Sequence, residues 1–324
     1  MIFYGVLCMS ILGHGQEVYH RSFTKMGSSF SISVVSSSTS EANRLIDMGV
    51  EEIDRIEQLI SSWNPSSSTA AINRNAGKKA VEVPRELYDL IKRSKTISRL
   101  CDGAFDISYA SMDALWSFAG EAIKRPPADQ IAASVAKIGY DKITLSPETN
   151  SVLLPIEGMK IGFGAIGKGY AADRVKALLI KEGAKAGIVN ASGDMVVWGK
   201  QPNGQPWQVG IVNPMNNQKV FAHFSLDNNA VVTSGDYERF LYLEGERYGH
   251  IIDPRTGYPV KGVISCTVFA PKAELADALA TALYVMGIES GIALVDQIPN
   301  VSAIMIDQEG KIHNSKKIEI DEES

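Results

Sequence analysis

The sequence has little cysteine and no excess of positive charge. Its 324 residues include three cysteines, Cys8, Cys101 and Cys266, which are odd in number and widely spaced. They form no C-x-x-C pattern, which excludes the usual zinc and dithiol motifs, so Cys101 and Cys266 are interpreted as small core residues. A net charge of −5 and the lack of a long basic run argue against a nucleic acid as partner.

Other functional signatures are missing as well. Beyond the N-terminus, no apolar segment is long enough to span a bilayer. Neither G-x-S-x-G nor H-E-x-x-H occurs, which argues against a serine-hydrolase elbow and a zincin site. What is present is globular in composition, with 45% hydrophobic and 21% charged residues. The length suits about two ordinary domains or one elaborate domain.

The N-terminus is the only candidate targeting segment. It reads "MIFYGVLCMSILGHGQ", a short apolar run followed by small residues, which is typical of a secretory signal although no positive charge precedes Arg21. We therefore predict a leader over residues 1–18, a mature domain over residues 19–324, and export to the periplasm or the periplasmic face of the inner membrane. Membrane attachment is expected only through an N-terminal lipid on Cys8. The alternative is a truncated or disordered end.

Hydrophobic periodicity favours an α+β protein. The stretch "SFSISVVS" (29–36) alternates apolar residues with serines and predicts a half-buried strand. Helical spacing is found over 41–60, after Pro84, and over 168–181 and 273–286. Further strands are predicted at 152–154, 187–190, 194–198, 207–212, 220–226, 239–243, 263–269 and 301–306. Consecutive strands with few intervening helices indicate mostly antiparallel sheets.

A glycine-rich stretch raises a competing interpretation. Residues 161–173 read "IGFGAIGKGYAAD" and contain the G-x-G-x-x-G spacing of a dinucleotide-binding Rossmann unit, formed by Gly162, Gly164 and Gly167. Such a unit also carries an acidic residue about 20 positions further on, after its second strand. Glu182 lies at that distance from Gly162, but it sits at the end of a helix and not after a second strand. The antiparallel pattern further disfavours a Rossmann fold.

A Walker A loop is excluded because Lys168 is followed by Gly169 in place of Ser or Thr. The remaining features are flexible glycines, the start of a helix and a lysine, which together favour the binding of a phosphate group. The alternative is a glycine-rich turn that only packs the helix on a strand.

An acidic residue lies within a nearly all-apolar helix, "AELADALATALYVMG" (273–287). Asp277 and Thr281 are four residues apart and share one face of this helix. A buried, unpaired carboxylate is costly, and carboxylate and hydroxyl oxygens suit Mg²⁺. Pairing of Asp277 with a buried arginine or with backbone is the alternative.

The stretch "RYGHIIDPRTGYP" (247–259) places His250 and Asp253 beside a turn. His250 is a candidate acid, base or phosphate donor, although a lone histidine is often structural. Three loops combine glycine with an acid: "DGAFD" (102–106), "NASGD" (190–194) and "TSGDYERF" (233–240). Each alone is typical of a turn, but together they favour a shared site.

These motifs, in this order, make the chain similar to the ApbE family of FAD:protein FMN transferases. The matching stretches are "CDGAFDIS", "GAIGKGYAAD", "NASGD", "TSGDYERF", "HIIDPRTGYP" and "ADALATALYVMG". The resemblance runs from about Tyr19 to Asp307 and implies an ApbE-like α+β fold of mostly antiparallel sheets and flanking helices. It also implies transfer of FMN from FAD to a Ser or Thr hydroxyl of a target protein, with release of AMP. Acceptors would be subunits of membrane redox complexes.

The resemblance also implies site residues. Mg²⁺, or alternatively Mn²⁺, would be bound by Asp277, Thr281 and the backbone carbonyl of Ala165. FAD would be contacted by Met26, Trp63, Ala104, Phe105, Asp106, Lys168, Ser234, Gly235, Asp236, His250 and Ile251. Two positions depart from the family pattern: Gly162 stands where members usually carry Asp, which removes an expected contact to FAD, and Ser28 stands where they usually carry Thr.

Phosphoryl transfer mainly requires positioning and charge neutralisation. Lys168 is expected to offset phosphate charge, His250 to take the acceptor proton or to stabilise the phosphate, and Asp253 to orient His250. The same residues would serve an FAD pyrophosphatase that releases FMN and AMP. A non-catalytic flavin-binding protein and a Rossmann dehydrogenase are the further alternatives.

Overall fold

The structure is a computed structural model that describes residues 15–118, 124–213, 216–235 and 240–318. The helices of these ranges are α1 (Thr39–Ile60), α2 (Ser68–Arg74), α3 (Arg85–Leu100), α4 (Ala128–Val135), α5 (Gly167–Lys181), α6 (Ala273–Met286) and α7 (Ile288–Val295). Two short 3-10 turns are added at Ile107–Ser111 and Tyr140–Lys142.

The strands of the first half are short apart from the N-terminal pair. They are β1 (Glu17–Lys25), β2 (Ser28–Ser36), β3 (Val81–Glu82), β4 (Thr144–Ser146), β5 (Ser151–Leu153), β6 (Gly187–Ala191) and β7 (Asp194–Trp198). The second half contains β8 (Trp207–Asn213), β9 (Asn216–Leu226), β10 (Ala230–Gly235), β11 (Phe240–Leu243), β12 (Glu246–Gly249), β13 (Val263–Ala270), β14 (Ser302–Asp307) and β15 (Ile312–Asn314).

An eight-stranded sheet forms the centre, in the order β1-β2-β6-β7-β10-β13-β14-β15, and every neighbouring pair is antiparallel. β5 belongs to a separate three-stranded sheet with β3 and β4. The glycine-rich segment before α5 therefore connects strands of two different sheets, whereas a Rossmann unit needs two parallel strands of one sheet. The predicted α+β fold with mostly antiparallel sheets is confirmed.

Helices cover one face of the central sheet. α1 and α5 share a hydrophobic cluster with β2, β6 and β7, and α6 packs on β10 and β13. The β8–β9 hairpin covers the opposite face with Trp207, Val209 and Ile211. β13 is consequently buried along its whole length, and its Cys266 is a core residue as predicted, like Cys101.

Local sequence explains the longest helix. The Ser38 side chain accepts a hydrogen bond from the Glu41 N–H and caps α1, and the buried face repeats at Leu45, Gly49, Ile53 and Ile56. α1 starts two residues before the predicted helix, and α6 has the predicted bounds. Helical periodicity was therefore sufficient to locate α6, which carries Asp277 and Thr281, and α1, which leads into the turn with Trp63.

The N-terminal strand was not predicted. β1 pairs with β2 along its full length, from Glu17 opposite Ser36 to Lys25 opposite Ser28, so its first two residues fall inside the predicted leader. Residues 1–14, with Cys8, lie outside the described residues, and the leader stays a prediction. In the part of the chain that the structure covers, no helix is long and apolar enough to cross a bilayer.

Candidate active site

A cavity of about 540 Å³ opens where the segment before α5, the end of β10 and the loop after β12 meet the middle of α6. Most of the predicted site residues line it. These are Trp63, Ala104, Phe105, Asp106, Ala165, Lys168, Ser234, Gly235, His250, Ile251, Asp277 and Thr281. The structure thus brings together residues that are more than 200 positions apart in the sequence, such as Trp63 and Asp277.

The start of α5 lies directly against α6. A Cβ atom at Gly169 would be 2.2 Å from the Ala273 carbonyl oxygen and 2.9 Å from the Asp277 Cβ, so only glycine permits this approach. The Gly169 N–H donates a 3.0 Å hydrogen bond to Asp277 Oδ2. The glycine-rich stretch therefore positions the helix N-terminus, where a positive partial charge favours anions, beside the buried carboxylate.

Asp277 is only 4% exposed, and Thr281 lies one turn further along α6 on the same cavity. Burial raises the pKa of Asp277 to about 7, and the nearby charge of Asp194 adds to the effect, while Lys168 and the Gly169 N–H oppose it. The Thr281 hydroxyl is 3.3 Å from the Ser234 hydroxyl at the end of β10. A cation at this position would stabilise the charged form of Asp277.

Lys168 forms an ion pair with Asp194, at 2.5 Å between Nζ and Oδ2. Asp194 follows the β6–β7 turn and is 1% exposed, and burial raises its pKa although Lys168 opposes the shift. The lysine is therefore held at the cavity wall by a buried carboxylate. Asp194 was absent from the predicted site, and the only signal was the glycine-plus-acid loop "NASGD".

His250 immediately follows β12 and lines the cavity together with Ile251. The Asp253 carboxylate binds Arg255, through Oδ1 to Nε at 2.9 Å and Oδ2 to Nη2 at 2.8 Å, and it also accepts the Arg255 backbone N–H. Asp253 thus stabilises the turn after His250, and its proposed orientation of the imidazole stays a prediction.

A separate small core, here called the Trp116 cluster, supports the His250 loop. It consists of Trp116, Ile131, Leu241, Leu243 and Ile252. The Trp116 Nε1–H donates to the Gly257 carbonyl at 2.9 Å, and the Trp116 ring packs edge-on against Tyr258. Phe118 packs edge-on against the His250 ring, with 6.5 Å between centroids. Long-range aromatic contacts therefore support the loop that carries His250 and pack against its ring.

Asp106 has a structural role in addition to lining the cavity. Its Oδ1 accepts hydrogen bonds from the Ser108 N–H and hydroxyl, and its Oδ2 accepts one from the Tyr140 N–H. Burial raises the pKa of this carboxyl. The hydrogen bonds cap the 3-10 turn at Ile107–Ser111 and fix the segment that holds Ala104 and Phe105 at the cavity.

The remaining predicted residues differ in position. The side chain of Trp63 projects from the turn after α1 and is 93% exposed at the cavity mouth. Met26 lies behind the start of α5, with its Cε 3.7 Å from the Cβ position of Gly167, and it does not line the cavity. Asp236 lies outside the described residues, so its assignment stays a prediction.

Comparisons with known proteins agree with this architecture. The ApbE family model matches residues 26–305. The FAD:protein FMN transferase of Treponema pallidum (strain Nichols) is 33% identical over 279 residues, covering 81% of this chain and 76% of the relative. The enzyme of the same name from Klebsiella pneumoniae (strain 342) is 31% identical over 292 residues, covering 90% and 89%.

Solved structures give the same result. The ApbE protein of Thermotoga maritima superposes with a TM-score of 0.84 at 32% identity, over 93% of this chain and 97% of that one. The flavin transferase ApbE of Vibrio cholerae gives a TM-score of 0.82 at 26% identity, over 93% and 98%. Because the family model and these relatives match most of its length, the chain belongs to the ApbE family.

Proposed function

We propose that this chain is an FAD:protein FMN transferase, which moves FMN from FAD to a Ser or Thr hydroxyl of an acceptor protein and releases AMP. The observation that carries the proposal is the meeting of Asp277, Thr281 and the Asp194-bound Lys168 at the N-terminus of α5, all on one cavity. The names of the curated relatives support flavin transfer as the reaction.

A magnesium ion fits the donor atoms at the bottom of the cavity. Asp277 is a buried carboxylate with a raised pKa, and Thr281 and the Ala165 backbone would add hydroxyl and carbonyl oxygens. Within the described ranges, no three His, Cys, Asp or Glu side chains cluster as a metal site, so the set depends on one carboxylate and neutral oxygens. Mg²⁺, or Mn²⁺ as the alternative, would neutralise phosphate charge when bound.

The reaction exchanges one phosphorus–oxygen bond for another. The acceptor hydroxyl oxygen attacks the phosphorus of the FMN half, and the bond from that phosphorus to the oxygen bridging the two phosphates breaks. The bridging oxygen leaves with AMP. Lys168 and the N–H groups at the start of α5 stabilise the charge that develops on the phosphates.

His250 lies on the same cavity and takes the proton of the attacking hydroxyl. The flavin is placed between Trp63 at the mouth and the segment Ala104–Asp106, both of which line the cavity. We further propose that the acceptors are flavin-carrying subunits of membrane redox complexes and that the protein works after export. A lipid on Cys8 would then attach it to the membrane.

The test is direct detection of the product. The purified protein is incubated with FAD, Mg²⁺ and a flavin-acceptor subunit, and the subunit is then inspected for flavin fluorescence in a denaturing gel and for an FMN adduct on a Ser or Thr by mass spectrometry. Covalent flavin and an equal amount of AMP, both lost with EDTA, are expected. Free FMN and AMP without an adduct would instead identify a pyrophosphatase, and FAD binding without either product a flavin-binding protein.

A further inference from the structure

A second cavity, of about 710 Å³, adjoins the first one along the turn after α1. The two cavities share a common wall of five residues, namely Ser62, Trp63, Tyr109, Ala110 and Ile252. Because these residues belong to both linings, a molecule bound in the second cavity lies directly beside the mouth of the first.

Gly162 lines the first cavity and leaves space beside the shared wall. A Cβ atom at this position would be 3.0 Å from the Ala110 Cβ and 3.6 Å from the Ser62 Oγ, which are two residues of the shared wall. The backbone here is fixed on both sides, since the Gly162 N–H donates to the Ile107 carbonyl and Asn73 binds both polar groups of Ile161. A larger residue at 162 would therefore fill part of the junction.

The floor of the second cavity is apolar and aromatic. Met112, Trp116 and Phe118 line it, and Trp63 at the shared edge is 93% exposed. A large exposed indole beside an apolar floor is typical of a protein interaction site. Because Trp116 belongs to the Trp116 cluster and Met112 and Phe118 pack against it, the floor lies next to the loop that carries His250.

The rim of the second cavity is positively charged. Arg74 and Lys160 line it, and neither forms an ion pair with the described part of the chain. Among the described lining residues, Asp113 is the one acid; Lys137 pairs with it at 2.9 Å, Ser134 donates a hydrogen bond to it, and the charge of Lys160 adds a weaker interaction. Arg74 also donates a hydrogen bond to the Pro65 carbonyl, which is neutral, so the described rim keeps an excess of positive charge for an incoming ligand.

We propose that the second cavity binds the polypeptide segment of the acceptor that carries the modified Ser or Thr, in extended form and with an acidic side chain near the hydroxyl. This inference rests on the proposed function. The diphosphate of FAD is assigned to the first cavity by Asp277 and Lys168, so the acceptor must approach from a space that opens onto it. The second cavity opens there and has the charge and apolar surface for such a segment.

The test reverses the charge of the rim in the double variant Arg74→Glu/Lys160→Glu. Lys79→Glu is the matched control, since Lys79 is an exposed lysine just beyond α2 that lines neither cavity. Flavin transfer to a purified acceptor subunit is measured against acceptor concentration, and FAD affinity is measured by flavin fluorescence. The double variant should raise the KM for the acceptor about tenfold at low salt, with unchanged FAD affinity and an effect that shrinks at high salt.

A reciprocal change in the acceptor makes the test specific. Replacing the acidic residues beside its modified threonine by lysine should weaken transfer by the wild-type chain and restore it with the double variant. An unchanged acceptor KM in the double variant overturns the inference, and weakened FAD affinity does so too, because it would assign the second cavity to FAD. If the wild-type chain modifies no acceptor at all, the proposed function itself fails, which separates the two results.

Discussion

The two sides of the proposed active site are held by different cores. On the phosphate side, Gly169 and Asp277 join two helices in the main body of the molecule, and the residues around them are almost fully buried. On the histidine side, the loop that carries His250 depends on the smaller Trp116 cluster, and several half-buried side chains pack around that cluster. The cation and phosphate contacts are thus expected to be rigid, and the proton-transfer geometry easier to perturb.

The largest expected effect is on the phosphate side. Asp277→Asn keeps an oxygen for the Gly169 N–H but removes the carboxylate charge, so the proposed cation would lose its main ligand. Mg²⁺-dependent transfer should fall by about a thousandfold or more. Transfer rates and Mg²⁺ titrations check this, with Asp129→Asn on the surface of α4 as the control. Near-normal rates in Asp277→Asn would remove this residue from the metal site.

The corresponding change on the histidine side is His250→Ala. Loss of a general base usually costs ~10²–10⁴-fold, so the turnover number should fall by that order while FAD affinity stays the same. Single-turnover transfer and flavin fluorescence provide the two readouts, and His20→Ala on β1 is the control. Weakened FAD affinity with a normal turnover number would make His250 a binding residue and not a base.

A steric change breaks the contact between α5 and α6. Gly169→Ala would place a methyl group 2.2 Å from the Ala273 carbonyl oxygen, so the helices must separate. Overpacking of this kind usually costs about 1–3 kcal/mol in the free energy of unfolding. Gly164→Ala is the matched control, because its Cβ would meet nothing within 4 Å. Denaturant unfolding of both variants tests the prediction, and equal stabilities would show that the helices can separate without cost.

The buried Asp277 carboxylate also predicts that the stability of the protein depends on pH when no divalent cation is bound. The folded pKa of Asp277, about 7, lies above the value of an unfolded Asp, so the folded state holds the proton more tightly. This contribution to stability is fully present below about pH 4 and is lost as the pH rises through about 7. Asp194 and Lys168 face the same carboxylate and also influence its charge.

In EDTA, the free energy of unfolding of the wild type should therefore fall by about 1–3 kcal/mol between pH 5 and pH 8, relative to that of Asp277→Asn. Added Mg²⁺ should remove most of this difference at pH 8, because the cation stabilises the charged form. Urea unfolding at both pH values provides the measurement. Parallel stability curves for the two proteins would contradict the raised pKa.

The two sides also differ in how far the sequence could predict them. Asp277 and Thr281 were found because helical spacing places residues four apart on one face, whatever the rest of the fold. The pairing of Lys168 with Asp194 needed the position of the β6–β7 turn over α5, which local patterns do not contain. The contact of Trp116 with Gly257 joins residues 141 positions apart, and no local pattern in the sequence indicated it.

The smallest predicted effect tests whether the Trp116 cluster positions His250. Trp116→Phe keeps an aromatic ring but leaves the buried Gly257 carbonyl without its donor, at a cost of about 1 kcal/mol. Trp207→Phe is a close control, since its Nε1–H donates a 3.0 Å hydrogen bond to the Trp198 carbonyl on the opposite face of the sheet. Both variants should lose similar stability, but only Trp116→Phe should lower the turnover number, by about fivefold or less. Equal turnover in the two would mean that the His250 loop keeps its geometry without this bond.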